Sequence, residues 1–207
     1  MPDFVLGVEI CEDLWAPVTP STGLCLAGAT VIANLSASNE LIGKDDYRRL
    51  LVSSASSRLI CGYVYANAGH GESTQDMVFS GHSLIYENGQ LLAEKKPFAK
   101  SGLIATEIDL FRLRFERHRN TSFDESGASE CRRIYFSQEL RDTELTRHIA
   151  RRPFVPADGE ILAERAAAIL SIQSDGLMRR IEHTGCRKAV IGISGGLDST
   201  LALLVMV

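Results

Sequence analysis

The chain has 207 residues, 45% hydrophobic and 23% charged, the balance of a soluble globular protein long enough for one ordinary domain and part of a second. A net charge of −4 gives no footprint for nucleic acid or an anionic membrane, and no apolar stretch approaches the roughly 20 residues of a membrane helix. Five cysteines (Cys11, Cys25, Cys61, Cys131, Cys186) without a C-x-x-C pair argue against a disulfide framework or a zinc site, and with no signal-peptide pattern they point to a reducing cytoplasm.

Residues 1 to about 108 read as alternating strands and helices. Phe4–Ile10 and Ala29–Leu35 are short, apolar and β-branched, as strands are, and Ser21–Gly28 between them suits a short helix packed on the sheet. From Lys44 to Leu59 the spacing of Tyr47, Leu50, Leu51, Ala55 and Leu59 predicts an amphipathic helix. Ile60–Ala66 returns to strand. Ser83–Tyr86 and Leu91–Glu94, joined through Asn88-Gly89, predict a hairpin, and Ile104–Ile108 a further strand. Residues 109–158 are charged and aperiodic. Acidic residues interleave with the basic cluster Arg112–Arg119, which therefore reads as a solvated face, and the segment ends in Pro153-Phe154-Val155-Pro156, an extended connector. A helix from about Gly159 to His183 follows, closed by Gly185, and then a buried strand over Lys188–Ile193.

Two segments carry chemistry. The first is Ser194-Gly195-Gly196-Leu197-Asp198-Ser199, set between that strand and the apolar helix Thr200–Val205. Glycines that let the backbone come close, amides that point outward together and a helix N-terminus form an anion site. The Gly-Lys-Ser/Thr of a Walker loop is missing. The second is Cys11, at the end of a strand in Gly7-Val8-Glu9-Ile10-Cys11-Glu12-Asp13-Leu14-Trp15. The neighbouring Glu12 and Asp13 would raise a thiol pKa, so a reactive Cys11 needs a cation from elsewhere. By residues alone a buried structural cysteine is the commoner case, Trp15 reads as a core aromatic and Lys44 as a solvated lysine at a helix start.

The segment from Gly7 to Pro17 resembles the nucleophile segment of the nitrilase-type amidase domain of glutamine-dependent NAD synthetases. The segments Leu24–Ala29, Asn34–Ser38, Tyr63–Ala66, Gly71–Thr74 and Gly81–Ile85 follow in that family's order, and Ser194–Ser199 resembles the ATP-pyrophosphatase loop of its synthetase domain. The resemblance implies an α/β fold: the C-terminal part of a nitrilase-type α-β-β-α sandwich over residues 1–137, a connector over 138–158, and over 159–207 the first helix, strand and loop of a Rossmann-like ATP-pyrophosphatase domain. It implies a ligase of NAD biosynthesis that hydrolyses glutamine and uses the ammonia, with ATP and Mg²⁺, to amidate deamido-NAD. The full-length form is expected to be a cytoplasmic homo-oligomer.

Residue by residue, the resemblance makes Cys11 the nucleophile that forms a glutamyl thioester and the backbone N–H of Glu12 an oxyanion donor. Trp15, Ser38 and Lys44 line the glutamine pocket, Lys44 standing where some members hold the substrate carboxylate with an arginine. Ser194, Gly195, Gly196, Leu197, Asp198 and Ser199 bind ATP, with Asp198 shaping the turn or holding Mg²⁺ through water. His70 and His82 take loop or packing roles. The family's triad is Glu-Lys-Cys, with its Glu and Lys well upstream of the Cys, and only ten residues precede Cys11. None of Glu9, Glu12 or Glu72 stands at the base position. The chain is therefore expected to be truncated at both ends and inactive alone, with an apolar sheet face left uncovered. Another amidase or adenylating amidotransferase, or a non-catalytic chain that needs a complementary subunit, remain the alternatives.

Overall fold

The computed structural model describes residues 4–73, 76–100, 102–123 and 131–207, and they fall into two units divided after Arg147. The first unit is built on one mixed five-stranded sheet. Strands β1 (Leu6–Ile10), β2 (Val31–Ser36) and β3 (Gly62–Asn67) run parallel, while β4 (Ser83–Glu87) and β5 (Gln90–Lys95) add an antiparallel hairpin. Helix α1 (Pro20–Leu26) links β1 to β2 and helix α2 (Lys44–Arg58) links β2 to β3, the crossovers that parallel strands require.

Each strand turns one side chain in two toward the helices. Ile32, Tyr63, Tyr65, Leu84 and Tyr86 from the sheet meet Leu14, Cys25, Val52, Ala55 and Leu59 in a single core. Gly7 is required there, because a Cβ would stand 2.8 Å from Ile32 Cδ1 and 3.1 Å from Leu24 Cβ. The opposite face of the sheet is apolar and open: Leu6, Val8 and Ile10 of β1 and Leu35 of β2 are all exposed.

Three expectations are corrected. Residues 104–108 form no ladder. Ile108 instead lays its side chain against Gly62, and the segment is held through side chains, with Glu87 accepting from Asp109 N at 2.7 Å and Glu107 from Thr146 N at 2.9 Å. The basic cluster at 112–119 is not simply a solvated face, because it forms helix α3 (Leu110–Arg119), capped by Asp109 and turning Leu113 and Arg117 inward. Arg117 donates to the carbonyls of Ala29, Leu59 and Ile60, closing the ends of α1 and α2 over the start of β2. Residues 188–193 are not a strand, since a ladder needs a partner and none is offered among the described residues of their unit.

The second unit consists of helix α4 (Gly159–Thr184), an extended stretch and helix α5 (Leu197–Met206). Helix α4 starts where Asp158 accepts from Glu160 N and Ile161 N, and ends at Gly185, which supplies the left-handed φ of 66°. Among the described residues no helix is long and apolar enough to cross a membrane.

Candidate functional site

The carboxyl ends of β1, β2 and β3 lie side by side, the end of a parallel sheet where ligands commonly bind. Cys11 leaves β1 in the left-handed region (φ 52°) and opens a 3₁₀ turn, Cys11–Trp15, fixed at its start by Asp13 accepting from Ile10 N at 2.7 Å. Asn34 Nδ2 reaches the Cys11 carbonyl from β2 at 3.4 Å. The thiol is partly exposed, and Glu12 beside it faces solvent.

The turn brings Trp15 against α2. Its ring lies 5.3 Å from that of Tyr47 and 5.4 Å from Lys44 Nζ, a cation–π distance. Lys44 Nζ also donates to Asn39 Oδ1 at 2.8 Å. Burial, then the charge of Arg48, hold the Lys44 pKa below the usual lysine value, while Glu40 and Cys11 act the other way. Asn67 of β3 grips the backbone of Ser38 on both sides, accepting from its N at 2.8 Å and donating to its O at 3.1 Å. The Ser38 hydroxyl is buried without a hydrogen-bond partner. Cys11, Trp15, Ser38 and Lys44 thus share one end of the sheet.

Beneath them runs a buried polar network that sequence reasoning missed. Arg48, fully buried, places Nη2 2.8 Å from both oxygens of Glu40 and Nη1 2.9 Å from His82 Nδ1. Ser80 donates to the same carboxylate. An arginine only donates, so His82 Nδ1 accepts and its Nε2–H donates to Glu94, 2.9 Å away. His82 is therefore a neutral packing histidine. Glu40 follows Ser38 and Asn39 in the loop that Arg48 of α2 holds, and this loop has no periodicity that could announce the pair.

Glu9 is also committed. Its buried carboxylate accepts from Ser21 N at 2.8 Å, from the Tyr63 hydroxyl and from Asn34 Nδ2, which leaves it anchoring α1. Burial and Glu9 push the Tyr63 pKa up in return.

In the second unit the Ser194–Ser199 loop turns through Gly195 (φ 82°), where a side chain would be strained. Ser194 Oγ accepts from Gly196 N at 3.3 Å and lies 3.2 Å from Ser199 Oγ, which donates to Gly196 O at 3.1 Å. Helix α5 begins on Gly196 with no side-chain cap, and its first-turn N–H groups have no partners within the helix. Leu197 and Asp198 are exposed in that first turn. Among the described residues no cluster of three metal-ligating side chains occurs. A single exposed carboxylate beside an anion turn still fits Mg²⁺, which binds through one or two carboxylates plus substrate phosphates and water.

No family model matches the chain. It is 46% identical over 214 aligned residues to a glutamine-dependent NAD(+) synthetase of Mycobacterium tuberculosis (strain ATCC 25618 / H37Rv), covering 99% of this chain and 32% of that protein. It is also 46% identical to that of Mycobacterium leprae (strain TN), covering 97% and 31%. A solved glutamine-dependent NAD+ synthetase from Acinetobacter baumannii, in complex with ADP, matches with TM-score 0.43 and 28% identity over 46% of this chain and 18% of that one. The chain spans about a third of the length of the curated relatives it matches.

Proposed function

We infer, for a chain that is a relative of the glutamine-dependent NAD(+) synthetases over nearly all its length, that it carries the nucleophile of a glutamine amidase and the ATP loop of the synthetase that the amidase feeds. Residues 1–137 belong to the amidase part, 138–158 to a connector and 159–207 to the start of the synthetase part. The full-length form is a cytoplasmic homo-oligomer. The gathering of Cys11, Trp15, Ser38 and Lys44 at one sheet end is the observation that supports this most.

Cys11 Sγ attacks the side-chain amide carbon of glutamine. The carbon–nitrogen bond breaks, ammonia leaves with a proton, and water then cleaves the thioester to glutamate. Splitting hydrolysis in this way replaces one difficult step by two easier ones. The Glu12 N–H donates to the developing oxyanion, a contact worth about 3 kcal/mol. Lys44 holds the substrate's α-carboxylate as a point charge, Trp15 covers the aliphatic stem and Ser38 hydrogen-bonds the polar head. The base and the lysine that complete the triad come from residues outside this chain, since Glu9 is fully engaged with α1, Asn34 and Tyr63.

At the second site, the amides of Gly195, Gly196 and Leu197 and the hydroxyls of Ser194 and Ser199 take the ATP pyrophosphate while the carboxylate of deamido-NAD is adenylated. Ammonia then displaces AMP to give NAD. Mg²⁺, held through water by Asp198, would supply neutralising charge for the phosphates.

The test uses the full-length polypeptide containing this sequence. Cys11→Ala abolishes NAD formation supported by glutamine and leaves formation supported by free ammonia intact. Loss of both, or of neither, would overturn the assignment of Cys11 to the amidase step.

A further inference from the structure

Lys44 is half-buried at the Cys11 end of the sheet, and among the described residues none of the neighbouring acids pairs with it. Glu40 is held by Arg48 and Ser80, and Asp45 and Asp46, the next two residues of α2, are both held by Arg49. The partners of Lys44 Nζ are neutral instead: Asn39 Oδ1 at 2.8 Å and the face of Trp15 at 5.4 Å. An ammonium has three N–H donors, and an amide oxygen and a ring face engage it without cancelling its charge. Drawing a cation partly out of water with no counter-ion costs free energy, so the arrangement suits a charge kept for an incoming anion.

Asn39 is itself held on both sides. Before it, Asn67 grips the Ser38 backbone at 2.8 and 3.1 Å, and after it Glu40 N donates to Val78 O at 2.7 Å. Arg48, one turn beyond Lys44 on α2, reaches back to the Glu40 carboxylate at 2.8 Å. Loop and helix are therefore joined twice, through Asn39–Lys44 and through Glu40–Arg48, and the two joins together fix the amide against the ammonium. A lysine needs such a holder, because its charge rides on a flexible four-carbon stem without the preorganised fork of an arginine. We propose that Asn39 is a positioning residue that aims the Lys44 ammonium at the carboxylate of the amide substrate. The proposal rests on reading Lys44 as the residue that holds the α-carboxylate of glutamine.

Steady-state kinetics of the full-length polypeptide with glutamine test this. Asn39→Ala raises the glutamine KM about tenfold at unchanged kcat, the mark of a binding contact used equally before and during reaction. Asn39→Asp keeps an oxygen at the ammonium but pairs its charge, so the KM stays raised at least as far. Lys44→Ala raises the KM further, and adding Asn39→Ala to it changes nothing more, since the amide acts through the lysine. NAD formation supported by free ammonia bypasses this site and reports that Asn39→Ala is folded. An unchanged KM or a lowered kcat in Asn39→Ala, recovery of the parent KM in Asn39→Asp, additive effects in the double variant, or loss of the ammonia-supported rate in Asn39→Ala would each overturn the proposal. Failure of the underlying reading looks different: Lys44→Ala then has the parent KM, or Cys11→Ala retains the glutamine-supported rate.

Discussion

His82 shows how one side chain links the hairpin to the site. Its Nδ1 accepts from Arg48 of α2 and its Nε2–H donates to Glu94 of β5, so the neutral ring is the form both partners want. Burial, then Arg48 and Arg49, hold its pKa below the ordinary 6.5, with the Glu94 hydrogen bond opposing. In the unfolded chain the ring titrates near that ordinary value. Between it and the lower folded value the unfolded state binds more protons, so stability rises with pH in that window and is lost as pH falls through it. Glu94, whose pKa is lowered by His82 and Arg49 against burial, adds a loss of the same sign at more acid pH. Urea unfolding measured from pH about 7.5 down to about 5 should show this decline, and His82→Gln, which keeps a donor and an acceptor but cannot titrate, should flatten it. An unchanged slope in the variant would remove His82 from the account.

At the scale of elements, the hairpin β4–β5 depends on a turn with two left-handed residues, Asn88 (φ 45°) and Gly89 (φ 80°), the Asn-Gly signature of a type I′ turn. Gly89 is constrained twice, because a Cβ there would stand 2.9 Å from Ser57 Cβ of α2. Its carbonyl accepts from Ser53 and its N–H donates to Ser56, so the turn is docked on the helix and cannot swing away. Gly89→Ala should therefore cost about 1–3 kcal/mol in a denaturant titration, more than a free turn would lose. A change below a few tenths would mean that the turn shifts freely. This hairpin was legible because Asn-Gly is a local signal. So were α1, α2, α4 and the three parallel strands, whose pattern repeats within a few residues. The segments 104–108 and 188–193 read as strands on the same local grounds, yet pairing is decided by a partner elsewhere, and among the described residues they have none. Helix α3 was hidden by its charge: of Leu110–Arg119 only Leu113 and Arg117, one turn apart, face the interior. In the site, Cys11, Trp15, Ser38 and Lys44 could be named from resemblance. The Glu40–Arg48–His82–Glu94 network could not, since it joins a loop, a helix and two ends of a hairpin that meet only in the fold.

For the whole molecule, the decisive feature is the asymmetry of the sheet in the first unit. One face is filled by α1, α2 and the tyrosines, while the other presents Leu6, Val8, Ile10 and Leu35 to solvent, with Val8 and Leu35 each more than half exposed. Alternation along β1 is inverted from that of a sheet with one wet face: its outward residues are the large apolar ones, and the helix side receives Gly7 and Glu9. Such a strand is patterned to be covered on both faces. Exposed contiguous apolar surface of this kind drives association, and β1 lies at an edge of the sheet. The 207-residue chain alone should accordingly self-associate at micromolar concentration and bind a hydrophobic dye. Val8→Lys with Leu35→Lys puts charge on that face without touching the core, since both side chains point away from α1 and α2. The double variant should show the same circular dichroism as the parent, a smaller mass by light scattering and weaker dye binding. If association persists undiminished in a folded double variant, the open face is not its cause, and α4, whose apolar stripe of Ile161, Leu162, Ile169 and Ile172 is also exposed, becomes the surface to change next.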